Sequence, residues 1–191
     1  MRFLPSACLV AAAWVLLSNC GGETNDGRSP LGLPSTVVAA SPIAPVRHPR
    51  DVSALTSRPC ALLTSQQAAT FGLDRPPQPV DDHPGKPACE WTNRAGDRIS
   101  LSALTDDLTL ESIYRKRRGF AFFELTEIAG YPATVSRASA NLPTCDIDLK
   151  PAERQSVSLT YESRELGDDM QQACVVGKQL AMTVLMNLPP K

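Results

Sequence analysis

Alternating apolar and polar positions predict most of the strands in this chain. Ile147 and Leu149 alternate with acids, whereas Val157, Leu159 and Tyr161 alternate with serine and threonine. Such alternation is typical of strands that bury one face. The same pattern, or a strand-rich run beside a short turn, predicts about six strands, near positions 89–92, 99–103, 120–128, 131–136, 145–149 and 157–161.

Three segments carry helix signals instead. Thr64-Ser-Gln-Gln67 is a capping box, and Gly72 is placed to end its helix. A second helix is predicted to follow Asp106-Asp107, with Leu110, Ile113 and Tyr114 on one face; Arg115–Arg118 close it and Gly119 caps it. A third is predicted over about Asp168–Leu188. The prolines of residues 76–87 predict an irregular loop. We therefore expect an α+β fold, an antiparallel sheet of about six strands covered by three helices.

The first nineteen residues resemble an export signal. Arg2 precedes the apolar run Leu9–Leu17, which is too short to anchor a protein permanently across a bilayer. Leu17-Ser-Asn-Cys20 resembles a bacterial lipobox, in which the cysteine becomes the lipid-modified N-terminus. Asn19 departs from that pattern, because Gly, Ala or Ser usually precedes the cysteine. The alternative is an ordinary cleaved signal in which Cys20 is incidental.

The segment that follows the signal has the composition of a spacer. Residues 20–58 contain no aromatic residue and are interrupted by five prolines. Little apolar surface is available there to offset the entropy cost of ordering. We expect a lipid-anchored flexible tether over residues 20–58, followed by one domain over residues 59–191.

Four cysteines remain beyond the signal and Cys20, namely Cys60, Cys89, Cys145 and Cys174. An even number in an exported chain indicates two disulfides, with three pairings possible. The separation between the first two equals that between the last two, and each such pair joins a helical segment to a strand. This favours Cys60–Cys89 and Cys145–Cys174. A redox pair or a zinc site is the alternative, but the chain has no Cys-x-x-Cys and no Cys/His grouping of zinc-ligand spacing.

Composition and charge exclude several classes of protein. The formal net charge is −1, which argues against a nucleic-acid binder. Hydrophobic residues make up 42% of the chain, enough for a packed core. No glycine-rich phosphate loop and no Gly-x-Ser-x-Gly motif occurs in the sequence.

The candidate chemical groups are few. His83 follows Asp81 and Asp82 and could join them on a metal, although a solvated surface loop is the simpler interpretation. His48 falls in the predicted tether. The acid pairs at positions 106–107 and 168–169 could resemble glycosidase acids, but both stand where helix N-termini favour carboxylates. We therefore predict no catalytic residue, no metal site and no cofactor.

Arg115, Lys116, Arg117 and Arg118 form the strongest local charge feature. They could contact anionic lipid headgroups or an acidic partner. The alternative is a solvated helix end that the helix dipole favours. The phenylalanines at positions 120, 122 and 123 are predicted to belong to the core of the sheet.

Several short motifs, in order, resemble a family of secreted actinobacterial lipoproteins known as domain of unknown function 3558. They are Pro59–Thr64, Ala88–Trp91, Ile128–Ala133, Cys145–Asp148 and Asn187–Pro190. The resemblance covers about residues 59–190, together with the signal and the proline-rich tether. It implies a cell-envelope location, paired cysteines and no established activity.

These observations predict a domain outside the cytoplasm that is held at the cell membrane through its N-terminal lipid. Since no catalytic constellation is visible, we expect a non-catalytic binding or sensor domain for an unknown protein partner or envelope ligand. The alternative is a cell-envelope hydrolase that uses carboxylates not recognisable from the sequence.

Overall fold

The computed structural model describes residues 41–83, 86–105, 110–141, 144–166 and 169–191. The predicted signal, Cys20, residues 21–40 of the predicted tether, and the acids Asp106, Asp107 and Asp168 lie outside these ranges.

Seven antiparallel strands form one sheet. They are β1 Gln78–His83, β2 Lys86–Thr92, β3 Arg98–Leu104, β4 Phe122–Ile128, β5 Tyr131–Arg137, β6 Thr144–Ala152 and β7 Gln155–Glu162. Their order across the sheet is β1-β2-β3-β7-β6-β5-β4. The antiparallel α+β architecture is thus confirmed, but the predicted number of about six strands is one too low.

The additional strand, β1, lies in the proline-rich segment that was predicted to be irregular. It pairs only with β2 and forms one edge of the sheet. Pro79 is tolerated there because an edge strand leaves one row of backbone groups unpaired, so a missing N–H need not interrupt the ladder. The prediction was wrong because it treated proline as incompatible with any strand.

The three predicted helices are present, but the second ends at Arg115, before its predicted end at Arg118. They are α1 Ser65–Thr70, α2 Leu110–Arg115 and α3 Met170–Asn187. The capping box at Thr64 and Gln67 is present, and Asp169 caps α3 by accepting a hydrogen bond from the Gln172 amide at 3.0 Å. The basic run does not continue α2 as a regular helix, since residues 117–119 form a 3₁₀ turn.

Helix α3 covers one face of the sheet and completes the core. Its buried residues include Ala173, Leu180, Ala181 and Val184, which pack with the apolar positions of the strands. A Cβ on Gly177 would lie 3.0 Å from Ile147 Cδ1, so glycine permits the close approach of α3 to β6. None of the helices in the described ranges has the length and apolarity needed to cross a bilayer.

Both preferred disulfides are present, Cys60–Cys89 and Cys145–Cys174. The first joins the 3₁₀ turn Pro59–Ala61 to β2, and the second joins β6 to α3. Each bridge therefore ties a helical segment to the sheet, as the spacing predicted.

The end of the predicted tether packs on the domain. Val52 is fully buried, and its amide donates to Gln155 Oε1 at 3.0 Å. The Arg50 and Asp51 amides donate to the carbonyls of Pro151 and Pro189, each at 2.9 Å. The predicted boundary at residue 58 therefore lies too late in the chain. Composition alone missed these contacts because each of them depends on a partner far away in the sequence.

Candidate functional site

The face of the sheet opposite the apolar core carries small hydroxyl side chains and two carboxylates. The residues lie in two cross-strand rows, Ser102–Ser158–Asp148–Thr134 and Ser100–Thr160–Asp146–Ser136. Residues directly opposite on paired antiparallel strands point to the same side of a sheet. The two rows therefore form one surface, which we call the polar face, with Asp146 and Asp148 at its centre.

Each carboxylate accepts a hydrogen bond from the strand beside it. The Ser158 hydroxyl donates to Asp148 Oδ1, and the Thr160 hydroxyl donates to Asp146 Oδ1 at 2.7 Å. Asp146 and Asp148 are two positions apart on β6, and such positions lie about 6.6 Å apart along a strand. The hydroxyls of β7 thus hold both acids in defined orientations.

Asp148 occupies an unfavourable position for a charge. Burial of its carboxyl group raises its pKa to about 6, and repulsion from Asp146 adds to the effect, while the Ser158 hydrogen bond opposes it. The Thr134 hydroxyl, directly opposite Asp148 on β5, lowers the pKa as well. Asp148 therefore changes its protonation state close to neutral pH.

Two hydroxyls of the polar face are buried. Thr134 and Ser136 are 0% and 1% exposed, and among the described residues the Ser136 oxygen has no hydrogen-bond partner. Both side chains are therefore shielded from solvent. Both lie on β5, directly opposite Asp148 and Asp146 respectively.

An aromatic group borders the polar face at β4. Phe123 is paired with Ser136, and its ring contacts those of Tyr114 and Phe120 at centroid distances of 6.0 and 5.8 Å. Phe120 and Phe123 are partly exposed and lie outside the core cluster. Their predicted place in the sheet core was wrong, and of the three phenylalanines only Phe122 packs against that cluster.

Helix α2 lies beside the same face and is fixed by an ion pair. Lys150 Nζ on β6 lies 2.7 Å from Glu111 Oε1 and 2.9 Å from Glu153 Oε2. The Lys150 side chain is only 5% exposed, and these carboxylates oppose the effect of its burial, so its pKa is raised overall. The pair anchors α2 next to β6 and beside the two central acids.

The basic run follows α2 directly. Arg115, Lys116 and Arg118 are exposed, whereas the Arg117 guanidinium lies 4.2 Å above the Tyr114 ring. None of the four forms an ion pair with any residue in the described ranges. The role of the run remains a prediction.

The other candidates are distributed over the molecule. Asp81 and His83 lie on the edge strand β1, and His48 lies on the segment that packs against Tyr131. Among the described residues, no group of three or more His, Cys, Asp or Glu side chains could hold a metal ion. Among the acids predicted to cap helices, Asp169 is the N-cap of α3. Asp106, Asp107 and Asp168 lie outside the described residues.

The polar face was not predicted from the sequence. Its signal was the repeated use of Ser, Thr and Asp at alternate positions in the middle of four strands, where the long charged Lys150 and Glu162 stand only towards the strand ends. A sheet face in free contact with solvent commonly carries long charged side chains. The sequence could therefore have distinguished this face, with its small hydroxyl side chains, from a sheet face exposed to solvent.

Comparison with known proteins identifies the family of this chain. No curated protein and no solved structure matches the sequence. The model of one protein family matches residues 15–187, which is most of the chain. Its description is a protein of unknown function, and the chain belongs to that family, DUF3558.

Proposed function

We propose that this chain is a lipid-anchored protein of the bacterial cell envelope whose domain binds a polyhydroxylated ligand without converting it. The ligand would lie on the polar face, with carbohydrate as its chemical class. A sensor that passes this binding on to a protein partner would use the same surface.

The polar face carries this proposal. Carboxylates such as Asp146 and Asp148 accept hydrogen bonds from ligand hydroxyls, and serine and threonine both donate and accept them. The hydroxyls of Ser100, Ser158 and Thr160 on the neighbouring strands are partly exposed, and their oxygens can accept further hydrogen bonds. Phe123 adds an apolar ring at the border of the polar face, suited to the C–H face of a sugar.

The location rests on the sequence and on the disulfides. Leu17–Cys20 has the form of a lipobox apart from Asn19, and structural disulfides persist mainly in oxidising compartments. Two acyl chains on a modified Cys20 would hold the protein stably at a membrane, whereas one chain would not. The family resemblance to secreted lipoproteins supports the same location.

The anchor predicts the mass of the native protein. We expect protein extracted from the membrane to begin at Cys20 and to carry a covalently bound diacylglyceryl group. Intact-mass spectrometry, with and without hydrolysis of the acyl esters, measures this directly. A soluble product that begins after Gly22 and carries no lipid would show that Cys20 is not the anchor.

Ligand binding is tested with soluble oligosaccharides released from peptidoglycan. We expect Asp146→Asn to weaken binding about tenfold, because a charged acceptor becomes a neutral amide. Asp74→Asn is the matched control, since Asp74 is exposed and lies away from the polar face, and its affinity should equal that of the unaltered protein. Equal affinities for all three proteins would contradict the proposed surface.

One observation favours hydrolysis as a second candidate function. Asp148, with its pKa raised to about 6, would remain protonated more readily than an ordinary carboxyl group and could act as a general acid. A backbone rise of about 6.6 Å between Asp146 and Asp148 would allow their carboxyl groups to reach the separation of about 6.5–9.5 Å that inverting glycosidases use. Release of shorter sugars that stops in Asp148→Asn would establish the enzyme; binding with no product would establish the binding domain.

A further inference from the structure

A second site lies away from the polar face, where residues 44–50 pass the turn between β4 and β5. A cavity of about 630 Å³ opens there, lined in part by Arg47, His48, Arg50, Glu127 and Tyr131. Cavities of this size commonly bind small molecules. A neighbouring cavity of about 510 Å³ shares the first three of these residues and adds Lys191.

The guanidinium of Arg50 is held in place before any ligand arrives. Its Nε donates to Tyr131 Oη at 3.2 Å, and its Nη1 donates to the Leu188 carbonyl at 3.0 Å. Tyr131 Oη in turn donates to the His48 carbonyl at 2.7 Å. A cation that is already ordered loses less conformational entropy when it binds an anion.

The charge of the cavity is only partly compensated. Neither Arg47 nor Arg50 forms an ion pair with a carboxylate in the part of the chain that the structure describes. Glu127 is the acid among the lining residues. Two guanidiniums, one of them fixed by neutral acceptors, therefore face a space large enough for a small anionic group.

We infer that this cavity binds a ligand through a phosphate group. The planar fork of arginine matches the oxygens of phosphate and donates two parallel hydrogen bonds to them. At neutral pH a phosphate carries one negative charge as a diester and nearly two as a monoester, and either form is attracted to two guanidiniums beside a single carboxylate. The phosphate could belong to a soluble phosphorylated molecule or to the headgroup of an anionic lipid.

Titration of the native protein in detergent distinguishes these sources. The probes are sn-glycerol 3-phosphate, short-chain phosphatidylglycerol and short-chain phosphatidylcholine, with binding followed by amide chemical shifts. Binding of glycerol phosphate alone would identify a soluble ligand, and binding of phosphatidylglycerol alone would identify a headgroup. The inference would be overturned if neither glycerol phosphate nor phosphatidylglycerol bound. It would also be overturned if phosphatidylcholine and phosphatidylglycerol bound equally while glycerol phosphate did not bind.

Three variants locate the site. We expect Arg50→Gln to weaken binding of the preferred probe at least tenfold, and Arg47→Gln to weaken it about threefold. Arg47 is exposed, so its replacement should leave the fold intact. This variant therefore tests the site even if the loss of the Arg50 hydrogen bonds disturbs the fold. Arg75→Gln removes the same charge at an exposed position that lines neither cavity, and this variant should bind as the unaltered protein does. An equal loss in Arg75→Gln and Arg47→Gln would show attraction by net charge alone and would overturn the inference.

Discussion

Replacing Cys145 and Cys174 by alanine should lower the free energy of unfolding by about 3–4 kcal/mol. The bridge closes a loop of about 30 residues, so its removal restores chain entropy to the unfolded state. Cys145 is fully buried between β6 and α3, and alanine fills less of that space. Denaturant unfolding of the double variant and of the unaltered protein measures the difference.

The other disulfide provides the comparison. The Cys60–Cys89 bridge spans the same separation of 29 residues, so the entropy term is equal for the two double variants. A larger loss of unfolding free energy in the Cys145–Cys174 variant then measures the packing of α3 on the sheet. A loss below about 1 kcal/mol in both variants would show that the bridges do not constrain the unfolded chain as this account requires.

Asp148→Asn should stabilise the protein at neutral pH while weakening its binding of ligand. The folded protein raises the pKa of Asp148 from 3.8 to about 6, so it holds the proton more tightly than the unfolded chain does. As pH rises through this interval, the unfolded state ionises first and the protein loses stability. Asparagine keeps the shape of the protonated acid and does not ionise, so the variant avoids this loss.

The expected stabilisation is about 2–3 kcal/mol at pH 7.5 and close to zero at pH 3.5, from the size of the pKa shift. Unfolding curves at several pH values measure it against the unaltered protein. A constant difference between Asp148→Asn and the unaltered protein across pH 3.5–7.5 would mean that the Asp148 carboxyl group is not desolvated.

The strands with one apolar face were predictable from the sequence. Residues such as Ile147 and Leu159 alternate with polar neighbours because only one side of the sheet packs on α3. The disulfide pairing was predictable from the same secondary-structure elements, because in each pair one cysteine belongs to a helical segment and the other to a strand. Both inferences depend on local pattern, which the sequence carries directly.

Features that depend on distant partners were not predictable. Val52 is buried because its segment hydrogen-bonds to Gln155 and to the carbonyl of Pro189. Both partners are far away in the sequence, so the composition of the segment does not predict these contacts. The polar face likewise requires the strand order β3-β7-β6-β5, which brings Ser102 and Thr134 to opposite sides of one central acid. Alternation shows that these side chains share faces within strands, but it does not show which strands become neighbours.

The central claim is that the polar face binds ligand, and residue-resolved chemical shifts during the peptidoglycan oligosaccharide titration test it most directly. The account predicts that the largest shifts fall on Asp146, Asp148, Ser158, Thr160 and Ser136, and that they shrink in Asp146→Asn. Saturable shifts confined to α3 or to β1, with the central strands unchanged, would contradict it.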